Sequence, residues 1–134
     1  MPLQEVVAGE LGRIDRFVKT TGRSPALVFL DGMERKMLNR FNGSFDVLKK
    51  MGSAYENQQR FTPLSGNGKP LWEFKEGDHR LYCARKQDPG TKFVRVVLLN
   101  GWVKDKAGKA KEEAREIEKA KDLLGEWEGE VPNG

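Results

Sequence analysis

The sequence predicts an α+β fold in which a helical hairpin covers one face of an antiparallel sheet and a C-terminal helix follows. Three observations carry this prediction. The segment from Leu71 to Trp102 holds three short runs rich in aromatic and β-branched residues, separated by turn formers, which is typical of an antiparallel meander. The segment before it has apolar residues at helical spacing, and the segment after it is rich in Ala, Glu and Lys.

The N-terminal part predicts a weak first strand and then two helices. Residues 1–12 are expected to be extended or frayed, and residues 14–20 are expected to form a strand without a cleanly apolar face. Ser24 and the proline after it predict a helix start, because serine caps free amides and proline suits the first helical position. An apolar stripe continues to Phe41, and Gly43 is expected to end that helix. Ser44 would then cap a second helix, and so short a link predicts an αα-hairpin.

Each run of the meander has a distinct character. In the first run, Trp72 and Phe74 alternate with polar residues and are expected to face the helices. In the second run, Arg80 and Tyr82 share a polar face. The third run, residues 92–102, is the longest and most apolar, which predicts a central strand buried on both faces.

After the meander, the alignment of Ala110, Ala114, Ile117, Lys121 and Leu124 at helical spacing predicts a long charged helix with a narrow apolar edge. Gly125, or the stretch up to Gly129, is expected to close it. Residues 126–134 are expected to be loose, like residues 1–12.

Length and composition limit the class of protein. A chain of 134 residues is the size of one domain, and 37% hydrophobic against 33% charged residues predicts a folded chain with a modest core. No apolar run approaches the roughly 20 residues that span a bilayer, and the N-terminus lacks the pattern of a signal peptide. A cytoplasmic protein without membrane contact is therefore expected. Cys83 is the only cysteine, so neither an internal disulfide nor a thiolate metal cage is expected.

Charge is distributed unevenly along the chain. Residues 69–111 include eleven basic and five acidic residues, whereas residues 112–134 include eight acidic and three basic ones. Positive charge on the sheet and on the segment that follows its last strand suits a polyanionic partner such as RNA. A solvated strand face in a basic protein explains the same charges, and composition leaves both interpretations open.

The ordered set of motifs resembles a known toxin family. The family's strand LWELR has its counterpart at Leu71–Lys75, its yRilY strand at His79–Tyr82, its ivlLhgFxKK strand end at Val97–Lys106 and its EIxxA helix element at Glu116–Ala120. The SPALVFLDGM helix start is also similar. Over roughly residues 14–124, the chain resembles the phage-derived, HigB-like branch of the RelE/HigB superfamily of type II toxin–antitoxin toxins.

That resemblance implies a single toxin domain over residues 1–134, with the hairpin on a small curved antiparallel sheet. It also implies a metal-independent mRNA interferase without a cofactor, which cleaves mRNA on the ribosome. The implied protein partner is a cognate antitoxin encoded beside it, expected to be a helix-turn-helix protein. Two positions depart from the family: Asn100 stands where the family has a histidine, and the paired lysines are split as Lys104 and Lys106 around Asp105.

Metal-independent RNA cleavage requires a base for the 2′-hydroxyl, an acid for the leaving 5′-oxygen and positive charge on the phosphorane. Arg80 is the expected phosphate clamp, because its planar guanidinium binds two phosphate oxygens at once. The alternative for Arg80 is an ion pair with Glu73. Lys104 and Lys106 would steer RNA or transfer protons, and their alternative is a merely charged start of the last helix.

The remaining candidates are an acid–base residue and an RNA-contacting set. His79 is the only histidine and titrates near neutrality when unperturbed, so it is a catalytic candidate. Tyr82 would stack on a base, although burial as an ordinary sheet aromatic is the alternative. The other RNA-contacting candidates are Lys75, Arg85 and Trp102. Two rival functions stay open: a catalytically idle relative that binds only its antitoxin, and a ParE-like inhibitor of DNA gyrase.

Overall fold

A mixed sheet organises the fold in the computed structural model, which describes residues 2–56, 59–104 and 110–130. The described residues form six strands in the spatial order β1-β2-β6-β5-β4-β3 and three α-helices. The strands are β1 (Leu3–Ala8), β2 (Gly12–Phe17), β3 (Phe61–Pro63), β4 (Trp72–Glu76), β5 (His79–Gln87) and β6 (Val94–Val103). The helices are α1 (Pro25–Asp31), α2 (Arg35–Met51) and α3 (Ala110–Glu130).

The predicted fold class is wrong at the N-terminus and in the strand directions. The chain begins with an antiparallel pair of strands rather than with a helical hairpin, and β2 then pairs in parallel with β6. The sheet is therefore mixed. Ile14 and Phe17 of β2 are fully buried, but charged neighbours flank them, and Asp15 is itself buried beside Arg13. Because of these charged residues, the sequence predicts only a weak strand, although β2 is an inner strand of the sheet that is covered on both faces.

The predicted helix boundaries are also wrong. Instead of one helix up to Gly43, α1 stops at Gly32, whose backbone N–H donates to the carbonyls of Val28 and Leu30. α2 then continues straight through Gly43 and Ser44. Ser44 is not a cap: its hydroxyl lies in the core, 2.8 Å from the Tyr55 hydroxyl and 2.9 Å from the Glu76 carboxylate. A buried polar partner from a distant strand thus explains a serine that looked like a helix start.

The central meander agrees with the sequence prediction. β4, β5 and β6 pair antiparallel in succession, and β6 lies between β5 and β2 with residues 96–100 all buried. Phe74 points toward the helices, where its ring packs edge-on against Phe45 with a centroid distance of 5.1 Å. Trp72 packs against the same core.

Two cores sit on the two faces of the sheet. One, between the sheet and the α1–α2 layer, includes Phe41, Phe45, Phe74 and Leu98. The other lies under α3 and includes Phe17, Tyr82 and Trp127. The predicted C-terminal helix is confirmed by α3, which continues through Gly125 to Glu130. None of the three described helices is long and apolar enough to cross a membrane.

Replacing Ser24 with alanine is expected to lower the free energy of unfolding by about 1 kcal/mol. The Ser24 hydroxyl accepts the backbone N–H of Leu27 at 3.4 Å and is the side-chain cap of α1, as the sequence predicts. Urea unfolding of Ser24→Ala measures the loss, and Ser24→Asp should retain most of the stability. An unchanged midpoint in Ser24→Ala would show that the long hydrogen bond contributes nothing.

Candidate functional site

A small cleft on the α3 face of the sheet gathers several of the predicted site residues. It has a volume of about 200 Å³, and Leu64 and Ile117 form its apolar wall. Its polar lining consists of Glu73, Lys75, Arg80, Tyr82, Lys104 and Glu113. We call it the Arg80 cleft.

Strand register brings these side chains together. Lys75 lies opposite Arg80 and Glu73 lies opposite Tyr82 on the antiparallel strands β4 and β5. Residues two apart on a strand share a face, so all four side chains project toward α3. Lys104 follows β6, and its backbone N–H donates to the carbonyl of Asp78 at 2.7 Å. The cleft therefore combines one β-hairpin, the end of a third strand and the first turn of α3.

The Arg80 guanidinium is held firmly. Its Nη1 donates to the carbonyls of Gly77 at 2.7 Å and His79 at 3.0 Å, and its Nε lies 3.4 Å from a Glu73 carboxylate oxygen. The ion pair that the sequence left as an alternative is thus present. Arg80 Nη2 has no hydrogen bond to any described residue. The group is fixed in orientation, with one nitrogen still able to donate.

Glu73 is a further candidate residue, which the sequence indicated only as a partner of Arg80. Its side chain is 12% exposed, and burial raises the pKa of its carboxyl above the ordinary 4.5 despite the opposing charges of Arg80 and Lys75. A carboxylate with a raised pKa beside a fixed cation in a cleft is a candidate general base. The available signal in the sequence was its position two residues before Lys75, on the same face of a strand that pairs with the strand of Arg80.

Lys104 is paired more loosely than Arg80. Its Nζ lies 3.3 Å from a Glu113 carboxylate oxygen, and 53% of its side chain is exposed. Exposed pairs of this kind contribute little free energy, so Lys104 can exchange Glu113 for a phosphate at small cost. Lys75 lines the same cleft. Lys106, predicted beside Lys104, lies outside the described residues.

Two predicted site residues lie away from the cleft. His79 projects from the opposite face of the sheet, where its ring packs near Phe29 and its Nδ1 is 2.9 Å from Asp78 Oδ1. Arg85 also faces the α1–α2 side: its Nη2 donates to Glu56 at 2.7 Å, and its guanidinium lies over the Trp72 ring. The structure therefore places neither of these side chains in the Arg80 cleft.

Tyr82 and Trp102 form a hydrogen-bonded pair on the α3 face, in which Tyr82 is buried and Trp102 partly buried. The Trp102 Nε1–H donates to the Tyr82 hydroxyl at 2.9 Å. Tyr82 is only 1% exposed, and burial raises its pKa, so the phenol keeps its proton at neutral pH. Its ring lies in the core under α3 and presents no open face for the predicted base stacking, which matches the alternative of an ordinary sheet aromatic.

Asn100, which stands at the histidine position of the resembled family, lines a different groove from the Arg80 cleft. A bulge at Leu99 directs it toward α3, because Tyr82 pairs with Asn100 while Cys83 pairs with Leu98. Its Nδ2 donates to the carbonyl of Glu116 at 3.2 Å. Asn100 is therefore separate from the cations of the cleft.

No group of three or more His, Cys, Asp or Glu side chains is placed to hold a metal within residues 2–56, 59–104 and 110–130. The positive charges of the Arg80 cleft are those of arginine and lysine side chains.

Comparison with models of known protein families gives no match, and comparison with curated proteins gives none either.

Proposed function

We propose that this protein is an endoribonuclease of the cytoplasm, the toxin of a type II toxin–antitoxin system, which cleaves mRNA on the ribosome in the Arg80 cleft. The observation that carries the proposal is the convergence of Arg80, Lys75 and Lys104 with the partly buried carboxylate of Glu73. The sequence motifs that resemble the RelE/HigB superfamily supply the substrate class. The partners are mRNA, the ribosome and a helix-turn-helix antitoxin.

The proposed reaction needs no group from outside the cleft. Glu73 accepts the proton of a ribose 2′-hydroxyl, whose oxygen bonds to the adjacent phosphorus as the bond from phosphorus to the 5′-oxygen breaks. Arg80 donates hydrogen bonds to the phosphorane oxygens. Lys104 or Lys75 protonates the leaving 5′-oxygen. The products are a 2′,3′-cyclic phosphate and a 5′-hydroxyl, so atoms and protons balance.

The ion pairs of the free protein limit how a phosphate can contact the cations of the Arg80 cleft. Glu73 already lies beside Arg80, so an incoming phosphate has to share the guanidinium rather than find it empty. Nη2 of Arg80 remains for this contact, and the exposed Lys104 can leave Glu113. An ionised carboxylate at this place repels a phosphate and so opposes binding, and a role in proton transfer would account for its presence beside the phosphate-binding cations.

Cleavage of ribosome-bound mRNA by the purified chain tests the proposal. Wild-type protein is expected to cut the mRNA and to arrest growth when expressed, whereas Arg80→Ala combined with Lys104→Ala is expected to do neither. The matched control is Lys36→Ala with Arg40→Ala, two exposed residues of α2. Intact mRNA with wild-type protein contradicts the proposal, and inhibition of DNA supercoiling under the same conditions would favour a gyrase inhibitor.

A second function is favoured by a specific observation. Arg80 and Lys104 each have a carboxylate partner, and Asn100 replaces the histidine of the resembled family. A catalytically idle domain that binds only its antitoxin is compatible with such a neutralised cleft. Tight binding to the product of a neighbouring gene, together with uncut mRNA on the ribosome, would identify this function.

The pH dependence of cleavage should reveal the ionisation of Glu73 as the general base. A base must be ionised to act, so kcat/KM is expected to rise with pH through the pKa of the Glu73 carboxyl, which lies above 4.5. Glu73→Gln should lose this acidic limb and reduce kcat/KM by about 10². Glu118→Gln, an exposed carboxylate of α3, is the matched control. An acidic limb that persists in Glu73→Gln would assign the base to another group.

A further inference from the structure

A second and larger groove, of about 570 Å³, lies between α1 and α3 beyond the end of β2. Pairing between the parallel strands β2 and β6 ends with Arg16 opposite Leu98. From Leu99 onward, β6 has a strand neighbour only on the β5 side within the described residues. The two helices come from opposite faces of the sheet and leave this space open. Its volume falls within the range of about 300 to 1,000 Å³ typical of small-molecule sites.

The inner wall of this groove contains a buried polar atom without a partner. Asn100 is 5% exposed, and its Oδ1 has no hydrogen bond to any described residue. Exchanging the amide oxygen and nitrogen does not relieve this, because Nδ2 is needed to donate to the carbonyl and the carboxylate of Glu116. A buried acceptor of this kind calls for a donor, and because Oδ1 is closed to solvent, a ligand in the groove that Asn100 lines reaches it by displacing the atoms that cover it.

The charges of the groove are balanced but incompletely paired. Lys19 pairs with Glu126 and Lys119 pairs with Glu116, at 3.8 Å and 3.1 Å between nitrogen and oxygen. Arg23, on the loop between β2 and α1, and Asp122, on α3, are both exposed, and neither has a side-chain partner among the described residues. One free cation and one free anion therefore stand on different walls of the same groove.

Apolar surface lies between these charges. Val28 is 54% exposed on α1, and Phe29 packs so closely on Gly101 that a side chain at position 101 would overlap its ring. Leu123 of α3 completes this apolar part of the lining. A ligand body resting here would be apolar, with its polar ends turned toward the two walls.

We infer that the groove between α1 and α3 is a binding site for a small zwitterion with an apolar body, of the size and charge pattern of a short peptide with free termini. The ammonium group lies near Asp122 and donates to Asn100 Oδ1. The carboxylate contacts Arg23, and the side chains cover Val28 and Phe29. This site is separate from the Arg80 cleft and does not depend on the proposed nuclease activity.

Titration of the full chain, labelled with ¹⁵N, with the dipeptide L-leucyl-L-leucine tests this inference. Saturable shifts of the backbone amide resonances of Phe29, Gly101 and Leu123 are expected. N-acetyl-leucyl-leucine lacks the ammonium, and leucyl-leucine amide lacks the carboxylate. Each is expected to bind about 1.5-fold to fivefold more weakly, the usual range for loss of one partly exposed charge contact.

Variants assign the contacts. Asp122→Asn should weaken binding of the free dipeptide but not of its N-acetylated form, and Arg23→Gln should weaken binding of the free dipeptide but not of its amide. Glu118→Gln on α3 and Arg40→Gln on α2 are matched controls expected to bind like wild type. Asn100→Leu should also weaken binding, and the two surface variants decide the matter if it does not fold. The inference would be overturned by the absence of saturable shifts or by capped dipeptides that bind as tightly as the free dipeptide. Wild-type affinity for the free dipeptide in both surface variants would also overturn it.

Discussion

Arg80→Ala is expected to reduce the rate of mRNA cleavage by about 10² to 10³, the usual effect of removing a fixed group that stabilises transition-state charge. Arg80 is held by the carbonyls of Gly77 and His79, so it requires no reorganisation when the phosphorane forms. Arg80→Lys keeps the positive charge but loses the planar group and its fixed geometry. It should therefore recover only part of the lost rate.

Single-turnover cleavage of ribosome-bound mRNA measures this effect independently of product release. Removing Arg80 also leaves the partly buried Glu73 without its nearest cation, so the unfolding midpoint of each variant must be measured alongside. Arg40→Ala on the exposed face of α2 controls for the loss of a positive charge elsewhere. A wild-type rate in a folded Arg80→Ala protein would exclude Arg80 as the phosphate clamp.

Local patterns in the sequence predicted the parts of the fold that local chemistry determines. The Ser24 cap is present, the three-strand meander forms in order, and α3 follows it. Each depends on residues within a few positions of one another. The parallel pairing of β2 with β6 joins residues about eighty positions apart, and no periodicity within either strand specifies it.

The site was partly predictable for the same reason. Lys75 and Arg80 meet because a tight turn joins their strands, which the spacing already indicated. Adjacent residues of a strand project to opposite faces, so the side chain of His79 lies on the other face of the sheet from that of Arg80. The partners of Arg85 and Lys104 come from other segments, Glu56 after α2 and Glu113 on α3, and one sequence does not indicate these ion pairs.

Gly52→Ala is expected to lower the free energy of unfolding by about 3 to 5 kcal/mol, a large part of the total stability of a protein of this size. Gly52 ends α2 with φ +58° and ψ −130°, a conformation essentially restricted to glycine. A Cβ there would lie 2.5 Å from the carbonyl oxygen of Leu11 and closer still to that of Lys92. Both atoms are backbone, so neither can move aside as a flexible side chain would.

The overlap involves the junction where three segments meet. The Lys92 carbonyl accepts the N–H of Ser53, and the Leu11 carbonyl accepts the N–H of Val94, so α2 and the starts of β2 and β6 are joined at this point. Moving the Leu11 carbonyl away from a new methyl group breaks the hydrogen bond to Val94 that joins the parallel strands, and moving the Lys92 carbonyl breaks the one that ties the end of α2 to β6. Strain in the backbone and loss of these bonds therefore add, and urea unfolding measures their sum.

Gly43→Ala is the matched control, because Gly43 lies inside α2 and an added Cβ there would have no atom within 4 Å. Alanine loses less backbone freedom than glycine when a helix forms, so this variant should gain about 0.5 to 1 kcal/mol. The same substitution is thus expected to have opposite signs nine residues apart. A loss below 1 kcal/mol in Gly52→Ala would mean that this corner of the fold relaxes, and the parallel pairing of β2 with β6 would then need another source of alignment.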